Sequence, residues 1–211
     1  MTDAELSNLA LNHLNISVSI SDMDENSKEA KACKRWLPFV KSELLVMAKP
    51  RFAKVINDLA LVEENPNDKW SYSYRYPSTC VHAIKIPYFA ANSVIFDQRD
   101  LDAVNIVDAQ QSFDTGFDSE GMLIFSNVDG ASLEFISNEF PSANYPIKYA
   151  MALTYLLAFY VAGSLVAGDA EQVKTNVYSL FEKKLAEAQA AIENEITHRR
   201  SNNSDLTKGR I

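Results

Sequence analysis

Three histidines, two cysteines and one short run of carboxylates are the residues of this chain best suited to chemistry. His13, His82 and His198 lie far apart, and neither HExxH nor CxxC occurs. No pair of imidazoles therefore shares a helix face at ligand spacing, and the pattern calls for no metal or other cofactor. Packing or surface positions account for all three. Cys33 and Cys80 are too few for a disulfide framework and read as reduced packing residues. The six glycines are scattered, so no phosphate-cradling loop is present, and a GxSxG elbow is absent too. Asp114, Asp118 and Glu120 form the one local carboxylate cluster. Calcium is one reading, but the alternating oxygen ligands of an EF-hand loop are missing, and a solvated hairpin turn fits better. Glycan cleavage by a pair of carboxylates stays open, because their separation is a three-dimensional quantity. Trp70, Tyr72, Tyr74 and Tyr76 fall on one face of a strand. They suit either a stacking platform for a sugar or base, or an aromatic face over a core; burial favours the core.

The elements that would carry these residues follow from periodicity. Leu6, Leu9, Ala10 and Leu14 give residues 2–14 a helical stripe. Residues 16–20 read as a linker or short strand. A second helix runs from 22–26 to Ala48, with Cys33, Leu37, Val40, Leu44 and Met47 on one face, Pro38 inside it and Pro50 at its end. Residues 63–68 form a polar turn, after which the period becomes strand-like. Residues 81–86, 93–96, 122–125 and 132–137 read as strands, with Asp129-Gly130 as a hairpin turn before the last; 97–112 is ambiguous. Pro146 opens a third helix that Gly168 ends, and Asp169 with Gln172 forms a capping box for a fourth. Val177, Phe181, Leu185, Ala188, Ile192 and Ile196 stripe that last helix. The expected fold is α+β: a helical bundle of residues 1–65 and 146–198, an inserted β-rich domain at 66–145, and a flexible C-terminal tail at 199–211.

Apolar residues make up 47% of the chain, enough for a real core. The net charge of −8 is uneven: −7 falls in 66–145, while 198–211 carries +3. An acidic body argues against gripping nucleic acid phosphates, yet suits a repelling wall past which DNA slides. Residues 149–168 carry no charge and are long enough to cross a bilayer. Tyr149, Thr154, Tyr155, Tyr160, Gly163 and Ser164 dilute that run, and no basic clusters flank it, so a helix buried in a bundle is expected. The N-terminus, Met1-Thr2-Asp3-Ala4-Glu5, is polar and acidic, unlike a secretory signal.

Several short motifs follow one another along the chain, each occurring once. Asn8, Leu9, Ala10 and Leu11 begin the first, followed by Ala30, Cys33 and Trp36. Leu44 and Leu45 lead to Pro50, Phe52 and Ala53. Trp70, Tyr72, Tyr74, Pro77 and Cys80 come next, and an Ala-, Leu- and Tyr-rich helix precedes a charged one. In this order and spacing the chain resembles the tail adaptor proteins of short-tailed bacteriophages, the tail tubular protein A family. Asn15, Arg51 and Thr79 depart from the family pattern; Arg51 stands where Trp is common, and Thr79 where Asp is usual. The resemblance implies a structural virion protein rather than an enzyme. It would form a ring, typically dodecameric, in the tail between the portal protein and the tail nozzle protein after assembly in the host cytoplasm. DNA would pass through the lumen without sequence-specific binding, and no membrane would be involved. It also implies docking on the portal by the C-terminal segment, which here offers Arg199, Arg200, Lys208 and Arg210. A glycan hydrolase built on the acidic β region, or a membrane-associated protein using 149–168, stands as the alternative.

Overall fold

The chain starts with a helix capped in both directions. In the computed structural model, which describes residues 1–87 and 110–204, helix α1 spans Asp3–His13. The Glu5 N–H donates to the Thr2 hydroxyl and the Thr2 N–H donates to the Glu5 carboxylate, so two orphan donors of the first turn are satisfied. Leu6, Ala10 and Leu11 are its fully buried stripe. Residues 16–20 are a linker, not a strand. The Asn8 carboxamide brackets its end, accepting from the Ile20 N–H at 2.7 Å and donating to the Ile20 carbonyl at 2.9 Å. Helix α2 spans Lys28–Ala48 with Ser27 as its N-cap and Pro38 inside it. Cys33, Leu37, Val40 and Leu44 are buried along one face, whereas Met47 at the end of that stripe is exposed. Lys49 closes the helix in the left-handed region (φ 44°, ψ 53°), and Pro50 prevents its continuation.

Helix α3, Ile147–Leu165, begins after Pro146, and helix α4 spans Ala170–Ser204. Gly168, at φ +88°, makes the turn between them. The Gln172 N–H donates to the Asp169 carboxylate, but the Gln172 side chain turns to Asn176, so the capping box is only half made. α3 packs against α1, α2 and α4 together. It is long and apolar enough to cross a membrane by length and composition. Its composition has a local explanation, since Ala150, Leu153, Leu157, Ala158 and Val161 are wholly buried among the other helices. His13 of α1 stacks on Tyr155 with ring centroids 3.8 Å apart, and Trp36 of α2 stacks on Tyr160 at 4.9 Å. Phe159 meets Tyr178 of α4.

A short 3₁₀ turn at Arg51–Ala53 leads into the β region. Among the described residues its strands are β1 (Lys54–Asp58), β2 (Leu61–Glu64), β3 (Tyr72–Arg75), β4 (Cys80–Pro87), β5 (Gln110–Gln111), β6 (Phe113–Asp118), β7 (Gly121–Ser126) and β8 (Ser132–Ser137). They form two antiparallel four-stranded sheets, in the orders β1-β8-β4-β5 and β2-β3-β7-β6. One apolar cluster joins them: Tyr74 and Ile124 come from one sheet, and Ile86, Leu133 and Phe135 from the other. The chain divides into two compact units, residues 1–52 with 139–211, and 53–138. The architecture is thus α+β, with the N-terminal and C-terminal helices packed together and an inserted β region between them in sequence.

Four expectations need correction. Strand structure starts at Lys54, not after Pro66, because β1 and β2 lie within the stretch assigned to the helical domain. The inserted unit ends at 138 rather than 145; Phe140 and Tyr145 instead join the aromatic contacts of Phe52 and Tyr149. Asp129-Gly130 is a turn, but not a hairpin: β7 and β8 belong to different sheets, and the turn carries the chain across. The helix α4 runs to Ser204, through Arg199 and Arg200, where a flexible tail was expected. Lys208 and Arg210, and the strand expected at 93–96, lie outside the described residues.

Candidate functional site

The carboxylate cluster 114–121 is folded around one arginine. β6 and β7 are joined by the two-residue turn Ser119-Glu120, with Asp118 paired to Gly121 across it. One Asp118 oxygen, Oδ1, accepts from the N–H groups of Glu120 (2.8 Å) and Gly121 (2.9 Å), the side-chain-to-backbone pattern that favours Asp in turns. Both Asp118 oxygens also accept from the Arg75 guanidinium, at 2.9 and 3.0 Å, and Arg75 reaches Glu120 Oε2 at 3.0 Å. This is the bidentate fork geometry of strong charge-assisted pairs. The Arg75 hydrogen bonds hold the Asp118 carboxyl down at about 2. Asp118 is therefore a fixed anion with its lone pairs engaged, ill suited to trade protons with a glycosidic oxygen or to ligate calcium. Asp114 stands apart and meets Lys69 at 3.5 Å. Sequence reasoning missed Arg75; its only signal was a cation between Tyr74 and Tyr76, hence on the opposite strand face.

The pairing makes a pH prediction. The folded value lies below the value of about 3.9 for an unfolded Asp, so the stabilisation is present above about pH 4 and is lost as pH falls through about 2. The wild type should therefore melt above an Asp118→Asn variant at pH 6, with the gap closing between pH 4 and 2. A gap that is constant with pH would show that charge is not the cause.

The aromatic motif is packing. Tyr74 and Trp70 are buried, and Tyr72 and Tyr76 are half-buried against the β core. No accessible stacking face of four rings exists. The Tyr74 hydroxyl donates to the Val128 carbonyl at 2.5 Å and accepts from the Ala131 N–H at 3.4 Å, pinning the crossover between sheets. Lys69 lies 4.6 Å over the Trp70 ring. Pro77 begins a turn whose carbonyl accepts from the Cys80 N–H at 3.0 Å, and the Cys80 thiol donates to the Tyr76 hydroxyl. At the other motif Pro50 and Ala53 are buried. Phe52 meets Phe140, Tyr145 and Tyr149 with centroids 4.8, 5.7 and 5.0 Å away.

The remaining candidates also have structural surroundings. Burial lowers the His13 pKa, so its ring is neutral near pH 7 where it meets the Thr154 hydroxyl at 3.1 Å. His82 is half-buried on β4, and His198 lies in α4. Burial pushes the Cys33 thiol up to about 11, far from a reactive thiolate. Among the described residues no group of three or more His, Cys, Asp or Glu is placed to hold a metal ion. Among the described residues, the large apolar side chains most open to solvent are Phe39 on α2, Phe117 on β6 and Ile147 at the start of α3. They stand on three separate elements and suit contact with other proteins better than chemistry. No family model matches the sequence, and no curated protein matches it, so the adaptor resemblance rests on the order and spacing of the motifs themselves.

Proposed function

We propose that this chain is a structural virion protein, a tail adaptor that forms a ring with copies of itself between the portal protein and the tail nozzle protein and lines the channel for DNA ejection. One observation carries the reading: the motif residues through which the chain resembles that family are joints of the fold rather than parts of a reaction centre. Phe52 ties the turn after α2 to the start of α3. Tyr74 pins the sheet crossover. Among the described residues, Asp118 and Glu120 of the carboxylate cluster are clamped by Arg75. The −7 charge of residues 66–145 would keep DNA from adhering to a channel wall. The burial of α3 within its own helical unit favours this reading over a membrane-associated one.

Co-expression with the portal protein of the same genome, followed by electron microscopy, tests the proposal. Ring-shaped density stacked on the portal is expected. The four cations Arg199, Arg200, Lys208 and Arg210, changed together to Gln, should weaken portal binding at least about tenfold at low salt, with a smaller difference at high salt. No complex with the portal at any salt concentration would remove the function. A complex insensitive to the four substitutions would remove the docking site.

A further inference from the structure

The face of α2 opposite its buried stripe carries Lys31, Arg35 and Phe39 at helical spacing. All three are exposed, and Phe39 is 66% open. The Phe39 ring meets Trp36 edge-on, and Trp36 is half-buried on Tyr160. The acid of this face, Glu43, is engaged by the Tyr160 hydroxyl. Lys31 and Arg35 make no ion pair among the described residues. They stand in the N-terminal half of the helix, where the macrodipole favours anions, so α2 itself gains nothing from them.

Strand β2 offers the matching chemistry. It is an edge strand, hydrogen-bonded to β3 alone, and all four of its residues are exposed. Leu61 and Val62 are 49% and 43% open. Glu63 and Glu64 follow them, and neither makes an ion pair among the described residues. An apolar sheet edge left bare invites association.

We propose that β2 of one copy docks on the outer face of α2 of a second copy, with Leu61 and Val62 on Phe39 and the carboxylates of Glu63 and Glu64 on Arg35 and Lys31. The spacings agree. Two strand steps, from Val62 to Glu64, cover roughly 7 Å, and the four helix steps from Phe39 to Arg35 cover roughly 6 Å. The two surfaces differ, so the contact is heterologous: each copy gives β2 to one neighbour and α2 to another, and copies join head to tail. As the joint of a ring between portal and nozzle, the contact rests on the adaptor reading.

Sedimentation of the full chain at low salt, without the portal, tests the contact itself. Self-association with a Kd of roughly 10–300 μM is expected, the weak range of a small contact. Phe39→Ser, the pair Lys31→Glu and Arg35→Glu, and the pair Glu63→Lys and Glu64→Lys should each weaken it at least about tenfold. These side chains are exposed, so each variant should melt close to wild type. Mixing the two charge-reversed proteins in equal amounts should restore association, because every β2 then meets an α2 of opposite charge only in the other protein. Wild type that stays monomeric at about 0.5 mM, association untouched by the variants, or a mixture that fails to associate would each overturn the proposal. So would an oligothymidylate bound by monomeric wild type and lost with Lys31→Glu and Arg35→Glu, which would give this face to nucleic acid. Rings formed on the portal by either charge-reversed protein alone would remove this joint and leave the adaptor reading standing. A mixture that associates while wild type never engages the portal would do the reverse.

Discussion

Phe135→Ala should cost about 3–5 kcal/mol of unfolding free energy, the range for deleting a large ring from a packed core. Phe135 is fully buried on β8, which lies between β1 and β4 in its sheet. It faces Val55 on one neighbour and Ala83 on the other, and both pack against the same core cluster. The hole left behind cannot be filled by a shift of one strand, because β8 is hydrogen-bonded on both sides. Urea denaturation measures the effect. Phe117→Ala is the control: that ring is 76% exposed on edge strand β6, and its removal should change stability by no more than about 0.5 kcal/mol. Equal losses for the two variants would mean that the β core is not organised around β8.

Tyr74→Phe should cost about 1–3 kcal/mol, although it removes a single oxygen. That oxygen satisfies two backbone groups of the crossover, the Val128 carbonyl and the Ala131 N–H. Without it both stay buried or must find water, and the apolar ring is otherwise unchanged. The same substitution at Tyr149 has the opposite expected sign, because that hydroxyl serves no group of the protein. Two buried tyrosines thus separate two causes: volume is conserved in both, so any difference in melting temperature reports hydrogen bonding alone. A Tyr74→Phe variant as stable as wild type would show that the crossover does not depend on the side chain.

Much of this structure was legible because its signals are local. Pro50, Pro146, Gly168 and Asp169 mark helix ends through the backbone donor they lack or the conformation and cap they allow, and each acts within a few residues. The features that were missed depend on distant partners. In residues 54–64 only Leu59 is buried, so β1 and β2 show no alternation for a pattern to reveal. Asp129-Gly130 carries the strongest short-range hairpin signal, yet it cannot report that its flanking strands pair with different sheets. The Arg75 clamp joins residues 43 positions apart, and no spacing rule reaches that far. The half-made capping box has the same lesson at short range: Gln172 had a competing partner one turn on in Asn176.

The position of α3 has a consequence for the nascent chain. α1 and α2 meet α3 more extensively than they meet each other, so their apolar faces have no lasting cover until α3 is made. The ribosome delivers every strand of the β unit before it reaches Ile147. At about 5–20 residues per second, the first two helices wait on the order of ten seconds for the third. The insert has all its strands by Ser137, while the unit that contains the N-terminus is among the last parts able to close. Any ribosomal pause between Asn138 and Leu165 would prolong the interval in which Leu6, Leu11, Leu37 and Leu44 are open to chaperones or to aggregation.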